Sequence, residues 1–399
     1  MARQNSLHNR HMIKFVCLFH CIALVYTAFS LTGCTNGNGQ GAKTIVTQYA
    51  LVKEGAVELD LAYDLAASTS WVQTFPAASP EYLYFFHRGL NTASVYDLDD
   101  YKKIAELRWQ LEGPNAVGPS VRSGYIASWD TIFLYSFSAK RLYLYDSSLN
   151  LKRKYIAESE HFDAGQGNYL RVSTQMPLQL ISESLIFSTE KSYWNDFSSA
   201  YAAKTLNLVT SQWGDKYPMP QIYRQGWYEH FHTRSAIAIN YKTNEQIVSY
   251  AASDNLQVSS KNHTKEYKAA SGKMKISPIR TKRPTKFSIG DFEQYYAHIA
   301  ATGWYAGIFY NPWKNLYYRF GYYPVKGEYK DSRQIFSYPF VIVLNHNFEI
   351  LCEKALDGDD YLIDNLFVDQ RGLHIFNKRK YEENEDKLTY DTFVLKEGQ

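Results

Sequence analysis

Residues 131–156 read TIFLYSFSAKRLYLYDSSLNLKRKYI, and the fold is decided in this stretch. The apolar run 132–135 is followed by a polar turn at Ser138-Ala139-Lys140. A second run, 142–145, leads into a turn at Asp146-Ser147-Ser148, and a third strand runs out to Ile156. Short runs rich in Tyr, Leu and Ile, punctuated by Ser, Asp and Lys, read as strands joined by tight turns. The stretch predicts an antiparallel meander of three strands, one blade of a repeat protein.

The same shape recurs. Residues 95–107 (VYDLDDYKKIAEL) line up with 144–156 (LYDSSLNLKRKYI), and 343–356 (VLNHNFEILCEKAL) repeat the pattern. Each is a strand, a tight turn with Asp or Asn, and a return strand, the outer hairpin of a propeller blade. Strands opening such hairpins start near Tyr82, Thr131, Ser184, Ser235, Tyr305 and Asn365. The spacing is close to the ~40–50 residues of a four-stranded blade up to Ser235, and longer beyond it. This predicts an all-β protein, a β-propeller of six blades, with room for a seventh in the longest interval. The 34 Tyr, 22 Phe and 8 Trp suit half-buried pleated surfaces. The N-terminal strand 56–61 (AVELDL) is expected beside 392–395 (TFVL), closing the ring and leaving few free strand edges.

Residues 1–33 read as a leader and stay outside the fold. Arg3, Arg10 and Lys14 form a basic region, and the apolar segment 15–30 is short of the ~20 residues that span a membrane. Leu31-Thr32-Gly33-Cys34 follows and resembles a bacterial lipobox, whose cysteine is acylated and becomes the mature N-terminus. The alternative is an ordinary signal peptide with a chance cysteine. Met12 is an alternative start, since 12–34 alone has the normal shape of a signal. The leader holds three of the 43 basic residues and none of the 40 acidic ones, so the mature chain carries 40 of each sign. A formally neutral chain has no electrostatic footprint for nucleic acid. Residues 34–46 read as a flexible tether, and 47–399 as one propeller domain. By similarity to Gram-negative lipoproteins, Thr35 after the cysteine fits delivery to the outer membrane. The lack of acidic residues before Glu54 favours its periplasmic face. In the mature chain Cys352 is the one cysteine besides Cys34, and its apolar setting reads as a buried small hydrophobe.

The longest interval has its own organisation. Residues 259–287 carry nine Lys or Arg against one acid, Glu266, and their Gly and Pro read as loop. Such a run is a solvated face or a docking site for anionic partners. One helix is then expected near 288–302, with Ser288 and Asp291 as a capping pair. Phe292, Tyr295, Tyr296 and Ile299 form one apolar stripe, and Gly303 is the stop.

Three further stretches carry a resemblance: 112–118 (EGPNAVG), 307–320 (GIFYNPWKNLYYRF) and 341–350 (VIVLNHNFEI). With the lipobox and the length, they resemble a family of bacterial outer-membrane lipoproteins of unknown function, grouped with six-bladed propellers of the quinoprotein-like and NHL-like kind. The resemblance implies the propeller and a lipid anchor, and it brings no activity. Ala116 departs from the glycine-like turn residue expected there.

Chemical motifs are sparse. His230 and His232 share a face if the segment is a strand, but a metal site needs three or four ligands. Asp357-Gly-Asp-Asp360 with Asp364 has the composition of a calcium loop without EF-hand spacing, and reads better as a turn between strands. There is no Gly-x-Ser-x-Gly, no phosphate loop and no dinucleotide fingerprint. Neither a cofactor nor a resident metal is expected. Aromatic residues near turns are the binding hint: Trp194, Trp227, Trp304 and Trp313, with Trp213 and Tyr217 beside them. At a channel mouth such rings stack on sugars or anchor a protein; the alternative for each is a wedge between blades. The expectation is a non-catalytic, lipid-anchored binding or scaffold module for an envelope protein or glycan, as a monomer or within an envelope complex. The alternative is a propeller-based glycan hydrolase or lyase, and a third reading is a purely structural envelope subunit.

Overall fold

The computed structural model describes residues 48–398 apart from 62–69, 76–79, 88–89, 118–120, 137–138, 157–167, 192–199, 229–230, 280–288 and 328. The leader and the whole tether, with Cys34, lie outside the described residues. So do Trp194, His230 and Ser288.

The chain folds into six antiparallel sheets, the blades of a propeller. β1 (Tyr49–Asp60) comes first but belongs to the last blade. Blade 1 holds β2 (Ser70–Thr74), β3 (Tyr82–His87), β4 (Thr92–Asp97) and β5 (Lys103–Arg108). Blade 2 holds β6 (Val121–Ser128), β7 (Thr131–Ser136), β8 (Arg141–Tyr145) and β9 (Leu151–Ile156). Blade 3 holds β10 (Asn168–Arg171), β11 (Gln179–Ile181), β12 (Ser184–Lys191), β13 (Tyr201–Asn207) and β14 (Trp213–Pro218). Blade 4 holds β15 (Ser235–Asn240), β16 (Glu245–Tyr250), β17 (Asn255–Ser259) and β18 (Thr264–Lys268). The helix α1 (Ile289–Thr302) precedes blade 5, which holds β19 (Trp304–Asn311), β20 (Leu316–Tyr322), β21 (Pro339–Leu344) and β22 (Ile350–Ala355). Blade 6 holds β23 (Tyr361–Val368), β24 (Leu373–Asn377), a short helix α2 (Lys378–Glu383), β25 (Lys387–Glu397) and finally β1.

The meander at 131–156 is thus β7, β8 and β9, three strands of blade 2 behind an inner strand, β6. The propeller has the expected six blades; among the described residues the long interval after Ser235, which had room for a seventh, holds blade 4 and α1. Within the basic run, residues 264–268 form the outer strand β18 instead of loop. Every second residue there can point to solvent, so a Lys-rich strand suits an edge. Helix α1 ends as expected. Gly303 takes φ +71°, its N–H bonds the Ile299 carbonyl at 2.8 Å, and a Cβ there would collide with the Tyr322 carbonyl.

Six apolar clusters hold the ring, one at each boundary between neighbouring blades. In β21, Val341 and Val343 face blade 6 while Phe340, Ile342 and Leu344 face blade 4. Middle strands buried on both faces read as continuous apolar runs for this reason.

Polar latches tie blade to blade through the turns that follow inner strands. Asn240 accepts from the N–H groups of Lys242 and Thr243, and its Nδ2 donates to the Tyr317 hydroxyl of blade 5 at 3.1 Å. Asn311 accepts from the N–H groups of Trp313 and Lys314 and donates to the Asp369 carbonyl of blade 6 at 3.1 Å. Asp369 accepts from Arg371 N–H at 2.7 Å, bonds His374 Nε2 at 2.7 Å, and takes the Tyr101 hydroxyl of blade 1. The Tyr-Asn-Pro motif is therefore a turn that also clasps the next blade.

β1 closes the ring against β25, from Tyr49 opposite Glu397 to Asp60 opposite Lys387. Residues 56–60 pair with 387–391, and 392–395 pair with 51–55, so the closure is as expected and the register is not. A carboxylate ties this blade together. Asp391 is buried and bonds Lys53 of β1, Lys380 of α2, Tyr361 of β23 and Asn377 of β24, each at 2.8 Å. Burial alone would raise its pKa, but these four hydrogen bonds outweigh it and pull the carboxyl from 3.8 to about 2. Because the folded pKa is depressed, the stabilisation is full above the ordinary value and disappears as pH falls through the folded one. Asp391→Asn is expected to cost roughly 1–2 kcal/mol at pH 7, after discounting for lysines that reach in from solvent. In urea titrations the gap between wild type and variant should stay constant from pH 5 to 8, shrink below about pH 4, and close near pH 2. A gap that persists at pH 2 would assign the effect to packing.

Candidate functional site

The centre of the ring is occupied. Residues 173–179, between β10 and β11, run into the middle of the propeller and are pinned there by other blades. Thr174 Oγ1 accepts from Val72 N–H of blade 1 at 3.2 Å. Gln175 Nε2 donates to the Ile363 carbonyl of blade 6 at 3.3 Å, and its backbone lies against Gly307 of blade 5. Met176 joins the apolar cluster of blades 4 and 5, and Gln179 Nε2 reaches the Ile237 carbonyl at 3.4 Å. This plug leaves a cavity of about 70 Å³ beside it, among Val72, Gln179, Tyr241, Ile308 and Leu366. That is room for a few waters and no organic ligand.

Beside the plug a cleft of about 490 Å³ opens, within the ~300–1,000 Å³ of small-molecule sites. Four segments build it. Helix α1 buries Tyr295, Ile299 and Ala300 against blade 5, which leaves Tyr296 half-buried on the cleft wall. Tyr295 fixes the helix, its hydroxyl accepting from Phe231 N–H at 3.1 Å. The turn Ser332–Phe336, between β20 and β21, is capped by Asp331, whose carboxylate takes Arg333 N–H at 2.8 Å and the Arg333 guanidinium at 2.9 Å. Ile335 anchors this turn in the core, and Phe336 stays 37 % exposed at the cleft.

The third segment is the connection from β22 to β23. Asp357 accepts from Asp359 N–H at 2.8 Å, and Lys378 Nζ donates to the Gly358 carbonyl at 2.6 Å. Gly358 passes so close to the Ser337 carbonyl that no side chain fits between them. The Asp-rich motif is therefore a turn, as its composition suggested, with Asp360 paired to Arg379 at 2.6 Å. The fourth is a bulge in β23. Leu362 pairs with Phe376 and Leu366 with Ile375, so residues 363–365 are extra on one side. The bulge buries Asn365, bonded to Tyr390 at 2.7 Å, and turns Asp364 out to the cleft.

Tyr322 forms the floor, stacked on Trp304 with ring centroids 5.0 Å apart. Burial pushes its pKa well up and Asp364 adds to this, while Arg234 and a hydrogen bond with Gln175 act the other way. The cleft thus ends on the plug. Behind it Arg234 packs over Phe231, 4.0 Å from the ring centroid, and pairs with Glu190 of blade 3 at 3.3 Å.

The expected site residues do not converge here. Trp304 is 1 % exposed and Trp227 is buried, so both rings pack in the interior as wedges instead of standing at a mouth. Inner strands of a propeller are covered on both faces, which leaves no open side for a ring at their ends. Trp313 is half-buried and lines a separate acidic crevice with Glu81, Asp97 and Asp99. Trp213 bonds the Ile156 carbonyl of blade 2 at 3.3 Å, another wedge. His232 sits in a turn instead of a strand, its Nε2 3.0 Å from the Gly303 carbonyl. No group of three potential metal ligands occurs among the described residues. Cys352 is buried and its thiol is pushed up to about 11, as suits a core residue. The cleft-lining aromatic residues that sequence reasoning did not single out for binding are Tyr296, Phe336 and Tyr361.

Among solved structures, a DUF4221 family member from Bacteroides vulgatus ATCC 8482 superposes with a TM-score of 0.73 at 20 % identity, over 88 % of this chain and 99 % of that one. A putative exported protein from Bacteroides fragilis NCTC 9343 gives a TM-score of 0.49 at 6 % identity, over 88 % and 96 %. No curated protein matches. The first likeness shows the same six-bladed fold. A family model matches residues 49–355, most of the propeller, and the chain belongs to the family described as Domain of unknown function (DUF4221).

Proposed function

We propose that this chain is a non-catalytic binding module, held at the outer membrane by an acyl group on Cys34 and taking an envelope partner, protein or glycan, in the cleft at 296, 336 and 361. The observation that carries the reading is the cleft itself. It sets partly exposed aromatic rings beside charged side chains on rigid elements, over a closed floor. The lipid anchor is supported by the apolar segment 15–30 running into Leu31-Thr32-Gly33-Cys34. A tethered chain with a neutral mature composition would meet partners by diffusion in the periplasm and not by long-range charge.

The test compares wild type with Cys34→Ala and with Phe336→Ala/Arg333→Ala. Wild type should take up an alkyne fatty acid and stay with membranes, and Cys34→Ala should do neither. Pull-downs from solubilised envelopes should recover a partner with wild type that the double variant loses. Turnover of a polysaccharide or peptide by the purified chain would overturn the non-catalytic reading.

A further inference from the structure

The chemistry of the cleft narrows the partner, given the binding reading above. Four charged side chains line it: Arg333, Asp359, Asp364 and Lys378. The two cations are already engaged, Arg333 by Asp331 at 2.9 Å and Lys378 by the Gly358 carbonyl at 2.6 Å. Asp359 and Asp364 are both exposed at the rim. An anionic ligand would meet two carboxylates and two occupied cations. A carboxylate beside an aromatic face suits a different ligand: its two oxygens accept from neighbouring hydroxyls while the ring covers an apolar C–H face. Tyr296, half-buried, and Phe336, partly exposed, put aromatic rings on the cleft wall.

The closed floor adds a second constraint. Tyr322 bonds Gln175 of the plug, and Gln175 in turn bonds Ile363. A ligand enters from one side and stops there. An extended polymer cannot thread the ring. A chain end, or a short oligomer, fits.

We propose that the cleft binds the terminal sugars of a neutral oligosaccharide, stacked on Tyr296 and Phe336, with hydroxyls donating to Asp359 and Asp364. Both walls are fixed by buried anchors, Tyr295 and Ile335, so the rings are positioned before a ligand arrives.

The experiment uses the full chain in detergent and titration calorimetry. The probes are neutral gluco-, manno-, galacto- and xylo-trisaccharides, with tri-galacturonate and a sulfated disaccharide as the anionic arm. At least one neutral trisaccharide should bind with a Kd below 1 mM. Phe336→Ala and Asp364→Asn should each weaken it about tenfold or more while the thermal midpoint holds. Asp359→Asn, at an exposed rim position, serves as a third variant if Phe336→Ala lowers the midpoint. A long polymer of the same linkage should titrate in proportion to its chain ends. Tighter binding of an anionic probe, binding along the polymer interior, no binding of any neutral probe, or binding untouched in all variants would each overturn the proposal. If no sugar binds yet an envelope partner is lost with the cleft variants, this inference falls and the binding-module reading stands. If nothing depends on the cleft, both fall.

Discussion

Replacing Arg319 with methionine is expected to cost ~3–5 kcal/mol of stability, read as a fall in the urea midpoint. Arg319 leaves β20 of blade 5 and is buried inside the turn region of blade 4. All five of its N–H groups have acceptors. Nε donates to Ser249 Oγ at 3.0 Å, one terminal nitrogen to the Asp254 and Ala269 carbonyls at 3.0 and 2.7 Å, and the other to the Tyr250 and Ser253 carbonyls at 3.3 and 2.5 Å. The guanidinium also lies flat on Tyr305, 3.4 Å from the ring centroid. Burial pulls its pKa down, and Tyr305, Asp254 and Tyr223 oppose that. Methionine fills most of the space but takes a donor from four buried carbonyls; those of Asp254 and Tyr250 keep the N–H groups of Ala269 and Ser253, while those of Ala269 and Ser253 lose the guanidinium bonds of 2.7 and 2.5 Å, and that desolvation penalty dominates the loss. Arg319→Lys should rescue little, because an ammonium has three donors and no planar fork. A variant within 1 kcal/mol of wild type, or a lysine that restores full stability, would show that the blade 4–5 boundary is held by its apolar cluster alone.

This residue belongs to the stretch that made the family resemblance legible, and its role explains why the motif is structural. The outer hairpins could be read because each carries its own punctuation, as in Asp146–Asn150 and Asn345–Glu349, where a side chain closes the turn onto backbone N–H groups. The inner strands of the first three blades could not. β6 reads VRSGYIAS, small and polar, because Gly124 must admit the Phe86 ring of blade 1; a Cβ would sit 2.8 Å from it. Missing such strands also blurred the phase. The starts at Tyr82, Thr131 and Ser184 mark second strands, whereas Ser235, Tyr305 and Asn365 fall on inner ones; the interval that left room for a seventh blade runs between two inner strands and is long because residues 269–303, with α1, separate β18 from β19.

The cleft was nearly invisible in the chain because it is assembled from α1, the 332–336 turn, the 357–364 connection and Lys378; the stripe of α1 and the Asp cluster at 357–364 were legible, but as a helix and a turn and not as one site. Tryptophan drew attention because it is the common anchor of binding sites, yet here its size is used to fill the spaces between blades. The better signal was an apolar residue out of place: Phe336 in the polar run 330–337 (KDSRQIFS), with no strand to bury it. The plug had a signal of the opposite kind. Thr174, Gln175 and Gln179 look like loop residues, but their amides and hydroxyl satisfy inner-strand backbone groups that a six-strand circle leaves facing the axis.

Deleting β1, residues 49–60, should have the largest effect of all: loss of a cooperative unfolding transition and of soluble protein. The strand supplies eleven residue pairs to β25 and buries Leu51, Val57 and Leu59, which belong to the clusters on both sides of blade 6. At ~1.5–3 kcal/mol per buried side chain these three alone represent ~5–9 kcal/mol, comparable with the whole stability of a typical domain. The ion pairs of Lys53 with Asp391, Lys387 with Glu58, and Lys396 with Glu54 would go as well, and so would the Tyr96 hydroxyl's bond to the Asp60 carbonyl. An open β25 edge then invites pairing between copies. A circular permutant separates loss of the strand from loss of the chain order. The end of β25 lies beside the start of β1, with Gly398 N–H on the Gln48 carbonyl at 2.5 Å, so a short turn after Glu397 can lead straight into residues 49–60. The permutant should regain the wild-type midpoint to within ~1 kcal/mol, because the same strand fills the same place. If the deletion itself melts cooperatively near wild type, the ring does not depend on its closure. If the permutant stays unfolded, β1 must act earlier, by holding β25 in place while the six blades assemble.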